Sequence, residues 1–321
     1  MIKTSLISTL MIALLFLTLS CKKKEESDDS GPSESCASSP TLSATNKIPL
    51  LVVRVQYSNA TFQSSASTWR TKIFSADEGH LNHYLNETTY GKYQFSVASE
   101  SEGCSNDGIV TVTMNEAHPN TQKNSYACYA EKAIRETDAS VNYASFDTNG
   151  NSKLDQHELQ IMFLVAGGES ASGINSPGGI WAMATSMYCD KDENGSVTGD
   201  GERWVELDEI QLMGSKSSSM NGYSQFGERQ GSSSSNTWDA TIGIIAHELG
   251  HAYFDLPDLY CTSGNCEGIG NFGLMGAGSW GIKSSSENSG ATPVHMTAWT
   301  KQKISVCSPT VASSGTNNYT L

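Results

Sequence analysis

Three side chains within five residues of this sequence can do chemistry together. His247 and His251 stand four positions apart and Glu248 follows the first, giving the pattern H-E-x-x-H. On a helix of about 3.6 residues per turn, positions i and i+4 lie one above the other on one face. Two imidazoles so placed can share one metal ion at the roughly 2.0–2.1 Å of Zn–N bonds. Glu248, about 100° further round the helix, does not fit as a third ligand. It can reach a water held by the metal, where hydrolysis needs a general base.

The elements around these residues suit that task. Ile242, Ile244, Ile245 and Leu249 make the segment apolar enough to be anchored in the interior. Asn236 and Asp239 are expected to form its N-terminal cap. Two His and a Glu on so apolar a helix are costly unless a metal satisfies them. Downstream, NFGLMGAGSWG (Asn271 to Gly281) sets Met275 among small residues, as a tight turn beneath a metal site would.

A second constellation lies in FDTNGNSKLDQHEL, Phe146 to Leu159. Counting from Asp147, side-chain oxygens fall at loop positions 1 (Asp147), 3 (Asn149), 5 (Asn151), 9 (Asp155) and 12 (Glu158), with Leu154 at position 8. That is the spacing of a twelve-residue calcium loop, in which Lys153 at position 7 would contribute its backbone carbonyl. Ser152 occupies position 6, where such loops carry Gly. The LQIMFLVAG that follows reads as a strand, so the segment is not an EF-hand. Asp190, Asp192, Glu193 and Asn194 form a weaker acidic loop, read as solvated surface.

In chain order, IPLLVVRVQY (Ile48 to Tyr57) reads as a buried strand. A helix is expected from Ser67 to Leu85. Tyr93, Phe95 and Val97 then alternate as a strand after Gly91, and Gly108 to Met114 makes another. Asn124 to Asp138 has helical composition. Ile161 to Ala166 is a strand, followed by a Gly/Ser-rich loop as far as Gly179 and then IWAMA. Lys216 to Ser235 is Ser- and Gly-rich and is expected to be a surface loop leading to the H-E-x-x-H helix. Thr292 to Ile304 reads as a closing helix, with His295 a core or surface histidine and not a ligand.

Residues 1–21 read as a secretory signal, with Lys3, an apolar run from Leu10 to Leu17 and small residues before Cys21. The run is too short for a membrane span. Ser20-Cys21 resembles a bacterial lipoprotein cleavage site, which would put a lipid on Cys21 as the membrane contact; the other reading is an ordinary signal peptide that releases a soluble protein. Export, to the cell envelope or beyond it, follows from both. Residues 22–45 are charged and then rich in Ser, Pro and Gly, a disordered tether. Residues 46–308 form the expected catalytic domain and 309–321 a tail. The formal charge of −14, from 34 acidic against 20 basic residues, comes without a basic patch beyond Lys22–Lys24, which argues against nucleic-acid partners. Of eight cysteines, six fall in the domain: 104, 128, 189, 261, 266 and 307. An exported chain can keep disulfides, and Cys261 with Cys266 closes a short loop. The other pairings stay open.

Laid out in order, LLVVRVQY, ETTYGKYQF, FDTNGNSKLD, HELGH…LPDLY, LMGAGSW and PVHMTAW resemble the immune inhibitor A-type family of secreted bacterial zinc metallopeptidases, over about residues 47–306. The resemblance implies a metzincin-like α+β fold, a twisted mixed sheet packed on helices with a Met-bearing turn under the metal. It implies zinc held by His247, His251 and an aspartate. Asp258 is the choice because its LPDLY is intact, with Asp255 as the alternative. In the family that Asp usually falls six residues after the second His, with a Gly three after it. Here Asp258 is seven after His251 and Phe254 takes the place of the Gly. The implied activity is that of a monomeric endopeptidase acting on proteins or peptides, with Glu248 activating the zinc-bound water. The reading from another class is a catalytically inactive, calcium-stabilised surface binding or adhesion protein with the same fold.

Overall fold

The apolar run near the start of the domain becomes β1 (Asn46–Tyr57), the strand on which the sheet is assembled. A computed structural model describes residues 44–121, 126–187, 205–212, 222–263, 266 and 268–308, all within the unit Glu34–Leu321. The signal segment with Cys21, nearly all of the tether, the acidic loop at 190–194 and the tail lie outside the described residues. Among the described residues no helix is long and apolar enough to cross a membrane.

After β1 the chain runs through α1 (Ala66–Phe74), α2 (Leu81–Thr88), β2 (Tyr93–Val97), β3 (Ile109–Met114), α3 (Ala127–Arg135), β4 (Lys153–Leu154) and β5 (Gln160–Glu169). The short strands β6 (Gly179–Ile180), β7 (Met183–Thr185), β8 (Glu206–Leu207) and β9 (Ile210–Leu212) come next. Then follow β10 (Tyr223–Ser233), β11 (Asn236–Asp239), α4 (Ile242–Ala252) and α5 (Ala298–Lys303). The main sheet has the order β11-β10-β5-β1-β2, with β3 continuing the edge along the second half of β1. Pairings of β1 with β2, β3 and β5, and of β5 with β10, are parallel, while β11 and β7 pair antiparallel to β10.

A parallel sheet has both faces covered, and β1 shows why its sequence is apolar without interruption. Ile48, Leu50 and Val52 face one core, with Trp69, Ile73, Leu85, Ile245, Leu249 and Met275. Leu51, Val53 and Val55 face the other, with Tyr126, Ala130 and Ile134 of the α3 segment. Each such side chain removed from water contributes about 1.5–3 kcal/mol. The mixed sheet and few helices agree with the expected class.

Three expectations need correction. The helix read from Ser67 to Leu85 is two helices, because the chain turns at 75–80: the N–H of Ser75 still closes α1 on the Thr71 carbonyl, while Gly79 (φ 88°) takes a left-handed turn before α2. The loop read from Lys216 to Ser235 contains β10, a central strand. Its polar residues are buried because they bind other segments. Gln225 Oε1 accepts the Tyr126 N–H (3.1 Å), Glu228 Oε1 accepts those of Gln63 (2.8 Å) and Ser64 (2.9 Å), and Gln230 Oε1 accepts that of Thr241 (2.8 Å). Lastly, Asn236 and Asp239 do not cap α4. Both lie in β11, where the Asp239 carboxylate pairs with Arg229 and accepts from the Ser64 hydroxyl (2.7 Å).

Candidate metal centre

The strand pair β10–β11 delivers the chain to α4. Thr241 stands at the helix start without a side-chain cap bond to it, its hydroxyl lying 2.9 Å from both Gln230 Oε1 and Ser289 O. The first helical donors find partners elsewhere: the Gly243 N–H donates to the Gly290 carbonyl (2.9 Å). Every residue of α4 is buried. Two of its glycines are needed for close approach. A Cβ at Gly243 would lie 1.9 Å from Ser279 O, and one at Gly250 would lie 2.6 Å from Met275 Sδ. Met275 therefore packs directly against the helix that carries both histidines.

His247 and His251 are held by their far ring nitrogens. His247 Nδ1 donates to Leu274 O (2.9 Å) and His251 Nδ1 to Leu256 O (2.5 Å). Backbone carbonyls accept only, so the ring proton sits on Nδ1 and each Nε2 lone pair is left facing inward. The chain reverses after α4 through Asp255, whose φ of 51° makes a left-handed turn, and this returns Asp258 to the helix despite the extra residue. Asp258 Oδ1 then lies 3.2 Å from His247 Nε2 and 3.0 Å from His251 Nε2, while the two Nε2 atoms are 3.2 Å apart. Three ligands on a tetrahedral ion with bonds of 2.0–2.1 Å would be separated by about 3.3 Å. Three lone pairs at that spacing repel one another unless a cation lies among them. The donor set and its geometry thus fit a zinc ion.

The charges around the site agree. Burial pushes the Asp258 carboxyl up, and the two imidazoles against it more than reverse this, holding it well below the ordinary range. Burial disfavours the His247 cation, yet the Asp258 bond and the Glu248 charge raise its pKa above the usual value. The site calls for positive charge. Burial raises the Glu248 carboxyl in turn, opposed by the histidines beside it. Among the described residues, His247, His251 and Asp258 are the one group of three such side chains whose donor atoms converge, all within 4.8 Å.

A cavity of about 310 Å³ opens beside His247 and Glu248. Tyr260 lines it, its ring stacked at 25° on His247 with centroids 6.2 Å apart, and burial beside Asp258 pushes its hydroxyl up to about 12. Ala171, Trp181, Ala182 and Trp280 form much of the remaining wall.

The other candidates fall elsewhere. Asp255 is exposed and faces Lys303 (4.0 Å), away from the converging group. In the 147–158 loop the oxygens also accept from the loop's own amides. Asp147 Oδ1 accepts from Gly150 (2.9 Å) and Asn151 (3.1 Å), its Oδ2 from Ser152 (2.9 Å), and Glu158 Oε1 from Thr148 (2.9 Å) and Asn149 (3.1 Å). Asn149 and Asn151 accept from Asn151 and Lys153 in the same way, and Asp155 from His157. Asp147, Asp155 and Glu158 do not converge as the first group does. Cys261 and Cys266 are bonded as expected, Cys104 and Cys128 are each in a disulfide, and Cys307 is free. His295 stands exposed against the edge of the Tyr84 ring.

Sequence reasoning passed over Glu169, Trp181, Tyr260 and Trp280. Only Glu169 left a trace, a lone acid closing the eight-residue apolar-to-glycine run IMFLVAGG.

None of the curated proteins compared with the chain matches it. A family model does: the one described as immune inhibitor A peptidase M6, catalytic domain, matches residues 56–306. That span takes in the close of β1, the rest of the sheet, the two histidines with Asp258, and Met275, and the chain accordingly belongs to the immune inhibitor A peptidase family.

Proposed function

We propose that this protein is a zinc-dependent endopeptidase that cleaves proteins or peptides at the His247–His251–Asp258 centre. The observation that carries the reading is the triangle of Nε2, Nε2 and Oδ1 atoms at 3.0–3.2 Å, with a buried Glu248 alongside. His247, His251 and Asp258 would hold the ion. When bound, zinc supplies a Lewis acid that polarises a carbonyl and lowers the pKa of water. Glu248 takes a proton from the attacking water and passes it to the departing amide nitrogen, so the peptide bond breaks with one water consumed. Burial raises its carboxyl above the ordinary carboxylate range, the direction a group that both takes and gives a proton needs. The Leu274 and Leu256 carbonyls keep the imidazoles in the tautomer that presents Nε2.

Calcium at the 147–158 loop is the second cation of this reading. It is supported by the oxygen spacing and by Ser152, which holds the left-handed backbone (φ 58°) that position 6 of such a loop requires. Export with a lipid on Cys21 is supported by the composition of residues 1–21 and is consistent with bonded cysteines at 104, 128, 261 and 266. The central test is Glu248→Ala. It should keep one zinc per chain and lose casein cleavage by about a hundredfold to ten-thousandfold. Wild-type cleavage by that variant would refute the role of Glu248.

A further inference from the structure

The helix that carries both histidines leaves its last turn by an uncommon route. Helices often end with N–H groups bonded three and five residues back, around one left-handed residue that is most often Gly. Here the Asp255 N–H donates to His251 O (3.1 Å), four residues back, and the Leu256 N–H to Gly250 O (3.1 Å), six back. The bracket is one residue wider, and Asp255 fills its left-handed position (φ 51°), where a Cβ is unfavourable. Two features of the metal centre depend on this turn. Leu256 O accepts the His251 Nδ1 proton (2.5 Å), and Asp258 follows two residues later.

Leu256, wholly buried, anchors the turn from within, and Lys303 closes it from outside. Lys303 stands in the last turn of α5, where a lysine commonly serves the carbonyls of its own helix. Its ammonium instead donates to the carbonyl of Asp255 (2.6 Å), 48 residues earlier, with the Asp255 carboxylate 4.0 Å away. α5 is fixed for this reach. Its cap is Thr297, whose hydroxyl accepts the Thr300 N–H (3.2 Å), and the Tyr93 hydroxyl donates to Ile304 O (3.2 Å) just past its end. The Tyr93 ring also meets the Phe254 ring edge-on at 5.1 Å, so one side chain spans from α5 to the residue before Asp255.

We infer that Lys303 is a positioning residue of the metal centre. By holding the Asp255 carbonyl it keeps the widened turn closed, and so keeps Leu256 O on His251 and Asp258 Oδ1 beside the two Nε2 atoms. The inference rests on the zinc reading and adds to it a residue from the closing helix. The ligands set where the ion sits; Lys303 sets how much of the chain has that shape before the ion arrives. Binding to a turn that is closed only part of the time is weakened by that fraction.

The test is the zinc affinity of the full chain, measured by competition with a colorimetric zinc chelator. Lys303→Met should keep the fold and weaken zinc about tenfold. With free zinc held at the wild-type dissociation constant, its kcat for casein then falls about fivefold while KM does not move. Lys303→Arg, which keeps a donor, should stay within about threefold of wild type. Asp255→Asn should bind zinc as wild type does, because it keeps the carbonyl and tolerates the left-handed backbone. In Asp255→Gly the turn closes without steric cost, so adding Lys303→Met there should lose about threefold or less. Unchanged affinity in Lys303→Met overturns the inference. So does a loss of about tenfold in Asp255→Asn, which would put the carboxylate in the carbonyl's place. An undiminished loss from Lys303→Met in the Asp255→Gly background overturns it as well. Wild type that binds no zinc sinks the metal-centre reading, a result distinct from all of these. Should Lys303→Met fail to fold, Lys303→Gln with hydrogen exchange at the Leu256 amide reads the same contact. Faster exchange than in wild type supports the latch, and equal exchange counts against it.

Discussion

Two regions of this molecule offer metal-ligating residues at ligand spacing, and their hydrogen bonds run in opposite directions. At α4 the backbone takes the far atoms of the donors: Leu274 O and Leu256 O hold the two Nδ1 atoms, and the Nε2 lone pairs are pushed together with Asp258 Oδ1. In the 147–158 loop the backbone takes the donor atoms themselves, three amides on Asp147 and two on Glu158 Oε1. A carbonyl behind an imidazole prepares a ligand, whereas N–H groups on a carboxylate occupy some of its lone pairs and leave the rest to water or an ion. Spacing along the chain can nominate ligands in both places; only the direction of the second hydrogen bond separates them.

The sharpest way to break this contrast is His251→Ala. Removing one corner of the triangle should drop bound zinc from one per chain to near zero and cut proteolysis by at least about a hundredfold. Metal analysis of the purified protein, with casein turnover alongside, measures both. Asp147→Ala, by contrast, should keep its zinc. Full zinc occupancy in His251→Ala would mean that the triangle is not where the metal sits.

A third histidine sharpens the comparison from the other side. His118 is buried like the pair on α4, but among the described residues no carboxylate is bonded to it. Burial pushes its pKa down to about 4, and its Nδ1 already accepts the Asn120 N–H (3.0 Å), so a proton arriving there would displace that bond. A histidine depressed on folding contributes stability that is present above its unfolded pKa of about 6.5 and is lost as pH falls through about 4. Urea unfolding of chelated protein should therefore lose about 2 kcal/mol at this position between pH 7 and pH 4.5. His118→Gln should remove most of that slope. An equal acid loss in the variant would show that the slope arises elsewhere.

How far the sequence was readable follows from where each side chain spends its polarity. β1 and α4 were legible because their apolar residues face protein on both sides, and the H-E-x-x-H spacing projects onto one helical face. β10 was not, since Gln225, Glu228 and Gln230 look like surface until their partners at Tyr126, Gln63, Ser64 and Thr241 are known, up to 165 residues away. The capping error has the same origin: Asp239 near a helix start reads as a cap, but its carboxylate is claimed by Arg229 and Ser64 across the sheet edge. Asp258 was found through its LPDLY flanks, while the left-handed turn at Asp255 that makes a seven-residue spacing workable has no signature in the residue itself. Trp181 and Trp280 come to one cavity from either side of α4 in the chain, a juxtaposition that no local pattern encodes.

The smallest effect tests the loop on its own terms. Asp147→Ala removes the acceptor of three amides, but the loop is exposed and water can replace the carboxylate. The cost without calcium should therefore be about 1 kcal/mol, visible as a melting shift of about 2–4 °C. Calcium at a hundred times its dissociation constant would add about 2.7 kcal/mol to the wild type and nothing to the variant, which lacks position 1 of the loop. Calcium titrations of the two proteins, followed by melting, separate the cases. A wild type that calcium stabilises and EGTA relaxes, beside an indifferent Asp147→Ala, means that the amides hold the loop ready for an ion. A wild type as indifferent as the variant means that the amides are the whole of the site, and the loop is a capped turn whose oxygens have no further ligand to take.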